Sequence, residues 1–111
     1  MATVFVKDKI GQNDLRTACQ DYGDFIKITL DLKTDQMVIG GQWHADGEKI
    51  LLDSGCRQEN IWGGSIDLAS GQIDTIALIN IRPSQNNNSQ EILDQKIKTQ
   101  FIKIVKERFG L

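Results

Sequence analysis

The chain has 111 residues, with 13 basic and 15 acidic side chains and a formal net charge of −2. This length favours one domain with one hydrophobic core, spanning residues 1–111, and the near balance of charge argues against nucleic acid or an anionic membrane as a partner. With no run of about 18 apolar residues, no secretory signal and only two cysteines, we expect a cytoplasmic protein without a membrane span and with free thiols.

The first half of the chain predicts a strand, a helix and a hairpin. Residues 3–6 are typical of a short strand, and residues 14–22 place apolar side chains at helical spacing. Residues 25–32 alternate apolar and polar side chains, which predicts a strand with one buried face, and residues 37–40 form its antiparallel return. Asp46 is then expected to cap a short helix that ends near Gly55.

The second half predicts two strands and a long helix. Residues 61–68 form a strand in which the adjacent Gly63 and Gly64 indicate a bulge or a close backbone approach. Residues 73–81 are apolar on both faces, as in a central strand covered on both sides. Residues 90–109 predict an amphipathic helix capped by Ser89.

These elements predict an α+β fold. We expect a mainly antiparallel sheet of four or five strands with an N-terminal helix, a short central helix and a long C-terminal amphipathic helix. Residues 31–37 (DLKTDQM) also resemble residues 67–73 (DLASGQI), and each stretch is predicted to form a hairpin turn. Internal duplication is one explanation of this short similarity and coincidence is the other.

The first candidate site contains the only histidine of the chain. In an extended segment His44, Asp46 and Glu48 would point to one side, where they could bind a divalent metal or form a general base oriented by a carboxylate. The preferred interpretation is structural, with Asp46 as a helix cap and His44 bonded to a backbone carbonyl. A polar site without metal comes second, so we expect no metal and no cofactor.

The second candidate site is the polar stretch that follows residue 79. Asn80, Arg82 and Ser84 lie at a predicted strand end, before a helix N-terminus, and such a place suits a carboxylate or phosphate. The preferred alternative is that Arg82 pairs with Asp46 or Glu48 and that the loop is simply polar.

The two tryptophans and Cys56 allow further alternatives. Trp62 is expected in the core, whereas Trp43 suits either the core or a pocket. A Cys56 nucleophile activated by His44 is less favoured than an inert thiol.

Residues 40–63 (GGQWHADGEKILLDSGCRQENIWG) and 79–89 (INIRPSQNNNS) together resemble a family of small prokaryotic proteins catalogued as a domain of unknown function. Cys56 stands where the resemblance leads us to expect a small residue such as Ser, which argues against a required thiol. The resemblance implies no activity, no cofactor and no partner. It does indicate which residues deserve testing as a candidate pocket: His44, Asp46, Glu48, Gln58, Trp62, Asn80, Arg82 and Ser84.

Three functions remain open. The first is a ligand-binding module with one polar pocket formed by the two stretches. The second is a small hydrolase or lyase that uses His44 as general base, Asp46 or Glu48 to orient it, and Arg82 to stabilise negative charge. The third is an interaction protein, expected to be a homodimer through a sheet edge or the Trp43 region.

Overall fold

The computed structural model describes residues 2–111, which form a five-stranded antiparallel sheet and three α-helices. The strands are β1 (Thr3–Val6), β2 (Phe25–Asp31), β3 (Met37–Gly40), β4 (Ile61–Asp67) and β5 (Ile73–Asp74), in the spatial order β1-β3-β2-β4-β5. The helices are α1 (Gln12–Ala18), α2 (His44–Asp53) and α3 (Gln95–Phe109). The predicted α+β class and the antiparallel sheet are confirmed.

Both faces of the sheet are covered. On one face Ile26, Ile28 and Leu30 pack with Phe101 and Val105 of α3 in the larger core. On the other face α2 packs over β2 and β3, and its Leu51 joins Val38 and Ile61 in a smaller core. The prediction that β2 has a single buried face is therefore wrong, because α2 covers the polar face of that strand and leaves Thr29 and Asp31 almost inaccessible.

The two similar sequence stretches form the same turn. Asp31 begins the first turn and Asp67 the second, and each carboxylate accepts the amide N–H two residues later, at 3.0 Å in both turns. The fifth position has a positive φ in each turn, 63° at Asp35 and 76° at Gly71. Residues 31–37 and 67–73 therefore share a turn geometry as well as a sequence pattern, with Asp35 and Gly71 in the left-handed region.

The first two helices begin earlier than predicted. α1 starts at Gln12 after Gly11, whose N–H donates to the Asp14 carboxylate at 2.8 Å, and it ends at Ala18. α2 starts at His44 after an extended Trp43, so Asp46 lies in its first turn and is not its cap. Contacts with the sheet set this start, because Thr29 Oγ1 donates to the His44 carbonyl at 3.4 Å.

The prediction of a central strand over residues 73–81 is wrong. The strand ends at Asp74 and lies at the sheet edge, and the chain then turns into a 3-10 helix, Leu78–Asn80. Asn80 is completely buried, and its side chain accepts the Gly63 N–H and donates to the Gly63 carbonyl, both at 2.9 Å. One amide side chain thus replaces the strand partner that β4 would otherwise have there.

The last helix starts five residues later than predicted, at Gln95, and Asp94 caps it in place of Ser89. The Asp94 carboxylate accepts the N–H groups of Lys96 and Ile97, at 2.8 and 3.3 Å. The residues just before Asp94 are not helical. The side chain of the buried Asn87 accepts the Leu93 N–H there at 2.9 Å. Side-chain hydrogen bonds to the backbone compete here with helix formation.

Gly63 and Gly64 allow close approach on both sides of β4 without a bulge. The pairing of β2 with β4 is continuous through both glycines. A Cβ at Gly64 would lie 2.7 Å from the Phe101 ring, and a Cβ at Gly63 would lie 2.7 Å from the Ala77 Cβ and 3.1 Å from the His44 ring. Of the two alternatives predicted for this glycine pair, the close approach is confirmed.

The Asn80 contacts give a first prediction. Asn80→Ala would leave the Gly63 N–H and three carbonyls without this partner, because Asn80 also donates to the carbonyls of Thr75 and Gln90. We expect the free energy of unfolding to fall by roughly 3 kcal/mol or more, measured by urea denaturation. The control is Asn88→Ala at an exposed position, which should change stability by less than about 0.5 kcal/mol. Equal losses in the two variants would contradict the role of Asn80.

Candidate functional site

A cavity of about 400 Å³ opens between the start of α2, the edge of the sheet and the segment after β5. Three strands that are neighbours in the sheet, β2, β4 and β5, each contribute one polar side chain to this cavity. Lys27 of β2 pairs with Ser65 of β4, and Ser65 pairs with Asp74 of β5, so these side chains form a row across one face of the sheet. His44 of α2 lines the same cavity.

The rest of the cavity wall is mostly apolar and unusually exposed. Trp43 and Leu78 are 63% and 64% accessible, and Phe25 and Ile76 are 42% and 48% accessible. Large apolar side chains that gather around a concave surface are typical of a binding site. We refer to Phe25, Trp43, Ile76 and Leu78 below as the apolar rim.

His44 is fixed by a short hydrogen bond. Its Nε2 lies 2.6 Å from the Gly64 carbonyl oxygen, and because a carbonyl only accepts, Nε2 carries the proton. The Nδ1 atom of the neutral ring is then an acceptor, and it makes no hydrogen bond with any residue between 2 and 111. His44 lines the cavity, and its Nδ1 keeps an acceptor position that no residue between 2 and 111 uses.

The surroundings of His44 favour the neutral imidazole. Burial lowers the pKa of His44 below its usual 6.5, the hydrogen bond to Gly64 opposes this shift, and the positive charge of Lys27 adds to it. Asp74 raises the pKa slightly. Together these effects favour the neutral form of the ring over the charged form.

Asp74 is engaged with the protein on both of its oxygens. Ser65 Oγ donates to one oxygen, and the Ile76 N–H donates to the other at 3.1 Å. Ser65 is buried and gives its proton to a carboxylate, and His44 bonds a carbonyl. This arrangement differs from the Ser–His relay of hydrolases, in which the imidazole takes the serine proton.

Of the eight candidate residues, His44 alone lines this cavity. The alternative in which His44, Asp46 and Glu48 point the same way from an extended segment does not apply, because all three belong to α2. His44 and Glu48 are one helical turn apart, while Asp46 points elsewhere. Asp46 and Glu48 each have one buried carboxylate oxygen without a hydrogen bond in the described part of the chain.

Arg82 is part of the structural framework around β4. Its guanidinium donates to the carbonyls of Ile61, Gln58 (2.7 Å) and Ile79 (3.2 Å), and its central carbon lies 4.4 Å from the centroid of the Trp62 ring. Burial lowers the pKa of Arg82, and the Glu48 charge acts in the opposite direction.

The remaining candidates also lie outside the cavity. Trp62 is 2% exposed, which confirms its predicted place in the core. Gln58 serves Arg82 through its backbone carbonyl, Asn80 binds the backbone, and Ser84 is exposed.

The other predicted chemistry is not assembled in this geometry. Cys56 is buried and donates to Gln36 Oε1 at 3.2 Å, and burial raises the pKa of its thiol. Among residues 2–111, no three His, Cys, Asp or Glu side chains come together in a way that could hold a metal ion. No helix in this range is long and apolar enough to cross a bilayer.

Nothing in the sequence pattern singles out Lys27, Ser65 or Asp74 as site residues. Of the apolar rim, the sequence indicates only Trp43 as a possible pocket residue. Lys27 was assigned to a solvent-facing side of β2, and Ile76 and Leu78 to a buried central strand. The alternation of β2 and β4 does place Lys27 and Ser65 at equivalent positions, but only the strand pairing makes them neighbours.

The fold and the cavity define an antiparallel α+β domain with an apolar-rimmed pocket beside a half-buried histidine. Residues 4–108 match the model of a family described as Protein of unknown function (DUF5674), and the chain belongs to this family. No curated protein and no solved structure matches the chain.

The environment of His44 gives a second prediction. As the only histidine, it should show a protonated Nε2 in nitrogen-detected NMR and titrate below pH 6.5. The unfolded chain then binds the extra proton first, so stability should fall as the pH is lowered through 6.5 and level off below the folded pKa.

His44→Gln is the control for this titration. Its stability should depend less on pH in that window than the stability of the natural chain. A His44 pKa at or above 6.5, or equal pH dependence in both chains, would contradict the buried neutral imidazole.

Proposed function

We propose that this protein is a ligand-binding module and that the cavity beside His44 takes a small organic molecule with a largely apolar body. The observation that carries the proposal is the apolar rim, whose four side chains remain exposed around one concave surface. A volume of about 400 Å³ is within the range of small-molecule sites.

The polar groups of the cavity support a ligand with at least one polar end. His44 Nδ1 is an acceptor with no hydrogen bond to residues 2–111, and Lys27 forms no ion pair within the same residues. A few polar groups among apolar walls are what orient ligands in known pockets. Asp74 and Ser65, which already bond each other, stiffen the floor of the cavity.

A ligand-binding assay tests the proposal. The neutral dye phenylnaphthylamine should bind with enhanced emission, because the apolar rim shields it from water. Leu78→Ser should weaken binding about tenfold or more, because it removes a large apolar contact of the rim.

Leu93→Ser is the matched control, since Leu93 is 56% exposed but does not line the cavity. This variant should bind the dye like the natural chain. Absence of dye binding, or an equal effect of both substitutions, would contradict the proposed pocket.

A homodimer is the second candidate, favoured by the exposure of Trp43 and Leu78 on one surface. In this case the apolar rim would be covered by a second copy of the chain. Sedimentation velocity should then show a concentration-dependent dimer that Leu78→Ser weakens and Leu93→Ser does not. A single monomeric species at all concentrations would contradict this candidate.

A further inference from the structure

The cavity contains one positive and one negative side chain, Lys27 and Asp74, that do not pair with each other. Lys27 and Asp74 lie on β2 and β5, which are separated by β4. Two strand spacings put their Cα atoms about 10 Å apart, and Ser65 lies between them in the same row. Among the described residues, the two side chains form no ion pair.

The negative charge is already hydrogen-bonded by the protein. Asp74 accepts from Ser65 Oγ on one oxygen and from the Ile76 N–H on the other. A ligand cation would therefore compete with two existing donors and would also face the charge of Lys27.

The positive charge has no such partner. The Lys27 ammonium lies 5.3 Å from the centroid of the Tyr22 ring and 5.6 Å from that of the Phe25 ring. Within residues 2–111 no carboxylate pairs with it. Aromatic faces stabilise an ammonium only modestly at a solvent-accessible position, so a carboxylate from a ligand would gain a charge-assisted hydrogen bond there.

The chemistry of the cavity limits the charge of the ligand. One lysine can balance one negative charge, and the nearby Asp74 repels a second one. A phosphate monoester carries close to two charges at neutral pH, so it suits this cavity less well than a carboxylate does.

We propose that the natural ligand is an organic monoanion, with an aromatic or branched aliphatic body against the apolar rim and one carboxylate on the Lys27 ammonium. This inference rests on the proposed function and names its ligand class. A hydroxyl or N–H group of the ligand can donate to His44 Nδ1, which accepts no hydrogen bond from residues 2–111.

The experiment measures displacement of bound phenylnaphthylamine by three compounds with the same ring system. These are naphthoate, which has one negative charge, naphthalenemethanol, which has none, and naphthyl phosphate, which has about two at neutral pH. Naphthoate should displace the dye at a concentration about tenfold lower than naphthalenemethanol, as expected for one charge-assisted hydrogen bond. Naphthyl phosphate should be weaker than naphthoate.

Variants at Lys27 assign this preference. In Lys27→Gln the advantage of naphthoate over naphthalenemethanol should disappear. Because both compounds are measured in the same variant, their ratio does not depend on how strongly that variant binds the dye. Lys27→Arg should keep most of the advantage. Lys33→Gln removes an exposed lysine outside the cavity and should keep all of it.

Each remaining outcome has a distinct meaning. Equal displacement by naphthoate and naphthalenemethanol, or a naphthoate advantage that survives Lys27→Gln, would overturn the proposed anion. Stronger displacement by naphthyl phosphate would overturn the monoanion in favour of a phosphorylated ligand. Failure of phenylnaphthylamine to bind at all would instead overturn the proposed function.

Discussion

The two hydrogen bonds between the Asn80 side chain and the Gly63 backbone are the interaction on which the rest of the structure depends. β5 pairs with β4 only at Ser65 and Ile66, so the outward N–H and carbonyl of Gly63 would otherwise be buried without partners. Asn80 satisfies both, and its NH₂ group also reaches the carbonyls of Thr75 and Gln90. One side chain thus joins β4 to both ends of an irregular segment. An unpaired buried backbone group costs about 1–3 kcal/mol. Residues 75–80 can therefore leave the sheet only because the Asn80 side chain replaces the missing backbone partners of Gly63.

The same exit from the sheet forms the cavity. If residues 73–81 continued as a strand beside β4, Ile76 and Leu78 would pair along the edge and no concave surface would exist there. Because the chain turns into a 3-10 helix, these side chains line the same cavity as Trp43 and the row of Lys27, Ser65 and Asp74. Gly63 then lets His44 approach the sheet closely enough for Nε2 to bond the Gly64 carbonyl. Structural asparagine and candidate binding residues are therefore parts of one arrangement.

Local patterns were sufficient for the first four strands and insufficient for the fifth strand and for the site. The alternation of residues 25–32 and the two Asp-containing turns are local features, and the strands they predict are present. By contrast, nothing local distinguishes residues 73–81 from a central strand, because the competing partner of β4 is a side chain at Asn80. The start of α3 has the same origin, since Asn87 and Asp94 outcompete Ser89. The alternative that put His44, Asp46 and Glu48 on one side required an extended backbone, whereas the helix turns Asp46 away from the other two.

Some polar residues bond the backbone of this chain and others border the cavity, and their sequence positions do not indicate which group each belongs to. The residues after position 79 combine Arg with several Asn, which predicts an anion site. In the structure the side chains of Asn80, Arg82 and Asn87 instead donate hydrogen bonds to backbone carbonyls of this chain. Lys27 looked like an ordinary surface lysine in an alternating strand, yet its ammonium has no carboxylate partner among the described residues and borders an apolar cavity. A buried polar group must be satisfied within the protein, whereas a binding group must keep some capacity free. Among the described residues, Lys27 and His44 Nδ1 keep such capacity beside a concave surface, whereas Asn80, Arg82 and Asn87 do not.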